Sequence, residues 1–179
     1  MRDDPSVVCR CGKIGCLEAL AGGGAIARRA DAAARDGRSK VLADLLARKG
    51  TLTAADVAIA ATHGDPVSLE LFNEAGRLVG AMLASVVNLL NPSLIVIGGG
   101  VATAGDGLLA SIRHTVYGRS LPLATRDLLI QRGALGHTGG VIGAASMVVD
   151  ELFSRERLPR WLEAGHPAGR PELAAAAAA

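Results

Sequence analysis

Asn91-Pro92-Ser93-Leu94-Ile95-Val96-Ile97-Gly98-Gly99-Gly100 reads as a helix end, a buried strand and a sharp turn in quick succession. Pro92 cannot continue a helix, because it lacks the amide proton and its ring crowds the preceding turn. The apolar, β-branched run that follows is bounded by Pro92 and Gly98, so it predicts a short strand buried on both faces. Upstream, Asp65-Pro66 is a cap followed by a first-turn proline, and apolar residues then recur at three and four spacing with no breaker before Asn91. This predicts one long helix from Pro66 to Leu90. Downstream, the pattern predicts a helix from Asp106 to Tyr117, a loop, a second strand at Leu128-Leu129-Ile130-Gln131, then the glycine-bounded stretch Gly136 to Gly140 and after it a final helix through about Phe153. Strand alternating with helix argues for a parallel sheet with crossover helices, and the fold class expected is α/β, helix-rich.

The earlier third of the chain is helical in pattern. Cys16 to Gly37 carries Ala, Leu and Ile at helical spacing, interrupted by Gly22-Gly23-Gly24, which predicts two short helices with a break. A helix over Lys40 to Lys49 follows. Thr53-Ala54-Ala55-Asp56 then matches a capping box ahead of an alanine-rich helix that ends at His63-Gly64.

Composition narrows the possibilities. Half of the 179 residues are hydrophobic and 20% are charged, which excludes general disorder. Aromatic residues make up only 2%, so the core has to be built from Leu, Val, Ile and Ala. Nineteen Lys and Arg against seventeen Asp and Glu leave a scattered net charge of +2, without the basic stripe of a nucleic-acid groove. Leu78 to Val101 is long enough to suggest a membrane span, but Asn88, Asn91 and Pro92 stand inside it, where polar groups and a broken helix are costly. Met1-Arg2-Asp3-Asp4-Pro5 has neither an apolar stretch nor a small-residue cleavage site, and the location expected is cytoplasmic.

Cys9, Cys11 and Cys16 are the three cysteines, set in Cys9-x-Cys11-Gly12-x-x-Gly15-Cys16. An odd number of thiols cannot form a closed disulfide framework, whereas three thiolates on a glycine-rich turn can converge on one zinc ion. A structural zinc takes four ligands, and none of His63, His114, His137 or His166 is near in sequence. The fourth ligand comes from a distant contact of the fold or is missing from this chain. The alternative reading is three reduced, partly buried thiols.

The string Cys9-Arg10-Cys11-Gly12-Lys13-Ile14-Gly15-Cys16-Leu17-Glu18 resembles the cysteine signature of the ROK family of repressors and sugar kinases. Asn91-Pro92-x-x-Ile95-Val96-Ile97-Gly98-Gly99-Gly100 and the stretch from Gly133-x-x-Gly136 through Gly143-Ala144-Ala145 are similar to the family's C-terminal part. The resemblance implies the C-terminal portion of an actin-like, ribonuclease-H-like ATPase domain, a structural zinc, a sugar site and self-association. In the family the fourth zinc ligand is a histidine of a Glu-x-Gly-His motif lying before the first cysteine, and counting back from Cys9 runs off the chain. The chain therefore looks like the C-terminal half of a ROK protein, without the catalytic aspartate, the Asn-Asp sugar pair and the N-terminal lobe. The domain reading is a partial ROK domain over 1–167, with 1–18 as the cysteine loop and 168–179 as a frayed, alanine-rich tail.

Glu18 stands where the family places a carboxylate that accepts hydrogen bonds from sugar hydroxyls, and read alone it is equally a first-turn helix glutamate favoured by the dipole. Gly98, Gly99 and Gly100 form a turn where backbone amides can meet phosphate, or simply a sharp strand-to-helix connection. A dinucleotide fingerprint would need glycine at Thr103 and a phosphate loop lysine at Asp106, so both of those readings fail. Gly139, Gly140 and Gly143 line the same cleft or permit close helix packing. His63 and His137 flank helix ends and take no metal or catalytic role. Arg28-Arg29 and the Arg155 to Arg160 cluster read as solvated faces, and the tail around Trp161 as a segment that docks on its own domain or on a partner.

The leading reading is the effector-binding part of a sugar-responsive transcriptional regulator, reaching DNA only through a domain outside this chain. The alternative is the C-terminal half of an ATP-dependent sugar kinase, and a zinc-braced oligomerisation module forms a third class. The ligand expected is a sugar or sugar phosphate, with ATP only for a kinase. Self-association through the Pro66 to Leu90 helix is expected, and no membrane partner.

Overall fold

The computed structural model describes residues 7–104, 106–163 and 165. They fall into two compact units divided after Gly136. The first holds α1 (Leu17–Ala21), α2 (Gly23–Arg35), α3 (Lys40–Lys49), α4 (Ala54–Thr62), α5 (Pro66–Leu90), β1 (Leu94–Ile97), α6 (Asp106–Arg119), α7 (Pro122–Thr125) and β2 (Leu129–Arg132). The second holds α8 (Gly139–Leu152) and α9 (Leu158–Glu163). The tail at 168–179 lies outside the described residues, as does the side chain of Trp161.

The helix boundaries follow local chemistry. Ser39 caps α3 by accepting from the Leu42 amide at 3.1 Å. Thr53 and Asp56 form the expected capping box at α4. Lys49 pairs with Asp56 as well, and that hydrogen bond, with those from Thr53, holds the carboxyl down at about 2. Asp65 caps α5 by accepting from the Ser68 amide at 2.8 Å and the Ser68 hydroxyl at 2.6 Å, and the Ser39 hydroxyl donates to its other oxygen at 2.7 Å. Burial raises the Asp65 pKa, but the bonds from Ser68 and Ser39 outweigh it and the carboxyl titrates below its ordinary value. The starts of α3 and α5 are thereby tied together inside the protein.

α5 is the spine of the first unit. Val67, Leu71, Phe72, Ala75, Ala84 and Val87 are buried along it, and it packs against α1, α2, α4 and α6. Much of the surface expected to meet a second copy is thus covered within the chain. α5 and α6 approach closely because Gly76 and Gly80 face Ser111 and Thr115. A Cβ at Gly76 would stand 2.6 Å from Ser111 Cβ, and one at Gly80 would stand 2.7 Å from Thr115 Cβ.

β1 and β2 pair in parallel, with Leu94 opposite Leu129 and Ile97 opposite Arg132. α6 lies in the crossover between them, as the strand-helix alternation requires. Ile130 is 2% exposed, and Ile95 and Ile97 pack on the core. The expectation of a strand buried on both faces is corrected, because Leu94 and Val96 are 47% and 52% exposed. Among the described residues the sheet has two strands, and helices cover one of its faces.

Gly80→Ala tests the spine. The added methyl meets Thr115 and the Ile112 carbonyl at 3.0 Å, so the helices must separate, and stability should fall by about 1–3 kcal/mol. Urea denaturation followed by circular dichroism reads this directly, and an unchanged midpoint would refute the close approach.

Candidate functional site

The chain from Val8 to Ile14 doubles back as a small hairpin. Val8 and Ile14 form an antiparallel bridge, the Cys9 amide donates to the Lys13 carbonyl at 2.8 Å, and the Gly12 amide donates to the Cys9 carbonyl at 2.9 Å. Gly12 and Gly15 have φ of +81° and +77°, the left-handed region that side chains avoid. These turns bring the ligand atoms of Cys9, Cys11 and Cys16 within 4.8 Å of one another, with Cys11 Sγ and Cys16 Sγ at 3.6 Å. Sulfurs on a tetrahedral zinc are about 3.8 Å apart, so the spacing fits three corners of such a site. Among the described residues no histidine or carboxylate joins them.

The thiols are not equivalent. The backbone of Lys13, and then the Cys16 thiol, lower the pKa of Cys11, while Cys16, hydrogen-bonded to Cys11, is pushed up to about 11. A bound cation would reverse that splitting by drawing all three to thiolates.

Cys16 is also the N-cap residue of α1, and Glu18 is the second residue of that helix. The loop therefore sets the origin of the helix that carries the carboxylate. Gly22 leaves room for it, since a Cβ there would stand 2.4 Å from Glu18 Oε1 and 2.5 Å from the Glu18 carbonyl oxygen. Glu18 borders two cavities. One, of about 380 Å³, is lined by Leu17, Gly23, Val79, Ile97, Gly98 and Val101, among others. The other, of about 360 Å³, lies against the cysteine hairpin and includes Cys9, Arg10, Gly24 and Arg28.

The structure thus brings Glu18 and Gly98 to one cavity. Gly99 has φ of +87°, and Gly100 opens a 3-10 turn, Gly100–Ala104, so the N-terminus of α6 lies beyond the glycine turn. Gly139, Gly140 and Gly143 lie in α8 of the second unit. His63 is the C-cap residue of α4, with Nδ1 2.8 Å from the Ile59 carbonyl oxygen. His137 sits in a 3-10 turn, Gly136–Thr138. Arg28 is exposed and Arg29 half-exposed, as a solvated face requires, and both are engaged within the chain. Arg28 donates to the Ala19 carbonyl at 3.1 Å and Arg29 pairs with Glu74, because α2 packs against α1 and α5. Arg10 and Arg28 as cavity residues were not legible in the sequence.

The ROK family model matches residues 1–151. The chain belongs to the ROK family. It is 37% identical over 149 residues to a glucokinase of Halalkalibacterium halodurans, covering 83% of this chain and 45% of that protein. It is 31% identical over 156 residues to the DNA-binding transcriptional dual regulator NagC of Escherichia coli, covering 87% of this chain and 37% of that protein. Among solved structures, it superposes with a TM-score of 0.66 and 32% identity on a ROK family glucokinase from Streptomyces griseus in complex with glucose and AMPPNP, covering 82% of this chain and 49% of that one. A ROK family transcriptional regulator, a homolog of the Escherichia coli MLC protein, gives 0.63 and 34%, covering 74% and 33%. The chain spans half or less of the length of these relatives. Its fold is the helix-rich α/β architecture of the ROK sugar kinases, which is actin-like. Among the described residues no helix is long and apolar enough to cross a membrane.

Gly22→Ala should loosen α1, since the methyl cannot coexist with the Glu18 carboxylate and carbonyl where they stand. The expected cost is about 1–3 kcal/mol, with faster amide exchange across Leu17–Ala21. Unaltered exchange in that helix would show that Gly22 does not position Glu18.

Proposed function

We propose that this chain is the effector-binding and self-associating part of a sugar-responsive transcriptional regulator of the ROK family. The observation that carries the reading is the cavity between Glu18 and Gly98. Among the described lining residues Glu18 is the one charged side chain, and Leu17, Val79, Ile97, Val101, Leu108 and Ile112 supply apolar wall. A single carboxylate on an apolar surface suits a neutral polyhydroxyl ligand, whose hydroxyls donate to it while its C–H faces lie on the wall. Among the described lining residues of this cavity there is no cation to meet the phosphates of a nucleoside triphosphate. Regulators and glucokinases of the family both match this chain at comparable identity, and it is this lining that favours a regulator.

Zinc is the metal proposed for Cys9, Cys11 and Cys16, on the tetrahedral spacing of their sulfurs. It would brace the hairpin and hold the start of α1, and so the place of Glu18. The cytoplasmic location proposed suits three cysteines present as free thiols. DNA would be reached through a domain outside this chain. The second reading, the C-terminal half of an ATP-dependent sugar kinase, is favoured by the Streptomyces griseus complex, which holds glucose and AMPPNP.

Titration calorimetry of the purified chain with glucose, N-acetylglucosamine and their 6-phosphates tests the ligand. One of these should bind, and Glu18→Gln should weaken it by about tenfold or more, the loss of a charge-assisted hydrogen bond. Binding that is indifferent to Glu18 would remove the site. ATP-dependent phosphorylation of any of these sugars by the chain would replace the regulator reading with the kinase one.

Self-association is proposed through apolar positions that α5 leaves exposed, among them Leu69, Met82, Leu89 and Leu90. Sedimentation at micromolar concentration should show a dimer or larger species, shifted toward monomer by Leu89→Glu with Leu90→Glu. A monomer in the parent chain would end this proposal.

A further inference from the structure

We propose that Cys11 and Cys16 are an oxidisable pair, which a hydroperoxide converts to an intramolecular disulfide when no metal occupies the loop. The inference stands on the geometry of the loop and does not depend on the sugar reading. Only its zinc arm touches the metal proposed above.

The two sulfurs are 3.6 Å apart, and a disulfide needs about 2.05 Å, so closure requires a shift of about 1.5 Å. The loop can supply it on one side. Cys11 is exposed at the tip of the hairpin turn, followed by Gly12 at φ +81°, and no atom of the described residues lies within 4 Å of where a Gly12 side chain would begin. Cys16 is the fixed member, since its carbonyl accepts the Ala19 and Leu20 amides at 3.0 and 3.2 Å and it opens α1. Cys9 is held differently, by both its amide and its carbonyl in the hairpin. A Cys9–Cys11 bond would have to close across one residue of that tight turn. The exposed, movable thiol and the anchored thiol are therefore the pair set to join.

The chemistry balances as a two-electron oxidation. The Cys11 sulfur attacks the distal oxygen of the hydroperoxide, the O–O bond breaks, and the leaving alkoxide or hydroxide takes the thiol proton, leaving a sulfenic acid. The Cys16 sulfur then attacks the Cys11 sulfur, the S–O bond breaks, the S–S bond forms, and hydroxide leaves with the Cys16 proton as water. Two thiols are oxidised and one peroxide is reduced. Because the disulfide consumes two of the three clustered sulfurs, metal and disulfide exclude each other at this loop.

The sequence makes the product easy to map. Arg10 and Lys13 separate the cysteines, so trypsin places Cys9, Cys11 and Cys16 on three different peptides. The reduced, chelator-treated full chain is exposed to one equivalent of hydrogen peroxide and digested without reductant. The peptide Cys11-Gly12-Lys13 should remain joined to the peptide beginning at Ile14, and reductant should release it. Cys9→Ser should keep this link, while Cys11→Ser and Cys16→Ser should each abolish it, with circular dichroism reporting whether each variant is folded. One equivalent of zinc added before the peroxide should slow the link severalfold. A bond through Cys9, disulfide-linked chains, or sulfinic acid at Cys11 with no crosslink in the parent chain would overturn the pairing. An unchanged rate with zinc would overturn the exclusion of metal by disulfide.

Discussion

The close contact of α5 with α6 is the constraint on which the rest of the first unit depends. Gly76 and Gly80 let the helices meet at a distance that any side chain would forbid, and the Ser111 hydroxyl reaches across to the Asn73 carbonyl at 2.8 Å. α6 in turn holds the sheet. Arg113 donates to the Ile130 carbonyl at 2.8 and 2.6 Å, and the Tyr117 hydroxyl donates to the Leu128 carbonyl at 3.0 Å. A two-stranded parallel sheet has little stability by itself. Here its position is set by a helix, and that helix is set by two glycines on its neighbour.

A second line of dependence runs from the cysteine hairpin to the cavities. The cysteine loop ends at Cys16, Cys16 is the N-cap of α1, Glu18 lies in the first turn of that helix and Gly22 caps its other end. Anything that moves Cys16 therefore moves the Glu18 carboxylate. α1 also packs on α5, so the loop reads out into the same spine that carries the sheet. A ligand held at Cys16 would for this reason hold the Glu18 carboxylate in place, whereas a movement confined to Cys11 at the hairpin tip leaves the start of α1 where it stands.

What the sequence made legible was local. The Thr53-to-Asp56 box, the Asp65-Pro66 start and the Asn91-Pro92 stop act within a turn of the chain, and α5 runs from Pro66 to Leu90 as those signals require. The cysteine spacing was equally legible, because glycines at 12 and 15 dictate the turns that bring the sulfurs together. Partners that come from far along the chain were not. Nothing near Arg29 announces Glu74, and nothing near Glu18 announces that Gly98 will share its cavity. The strand Leu94–Ile97 misled for the same reason: its residues are apolar throughout, but burial of the second face depends on layers that a local pattern cannot supply. The short α7 and α9 were missed because neither has enough residues to show a period.

The sheet is finished on one edge and open on the other. In a parallel pair the residues of each strand alternate, one bonding to the neighbour and the next pointing away. Leu129 and Gly133 donate to Ser93 and Ile97 of the β1 segment at 2.9 Å each, so Leu128 and Ile130 point outward from β2, and their carbonyls are the ones that Tyr117 and Arg113 cover. On β1 the outward residues are Leu94 and Val96, and among the described residues no strand pairs with them. Their side chains are the half-exposed apolar ones as well. Side-chain donors thus close the β2 edge against further strands, while β1 keeps both an unpaired backbone and an uncovered apolar face. The two edges of the pair therefore differ in kind: side-chain donors from α6 occupy the β2 carbonyls, while on β1 the outward positions carry the exposed side chains of Leu94 and Val96.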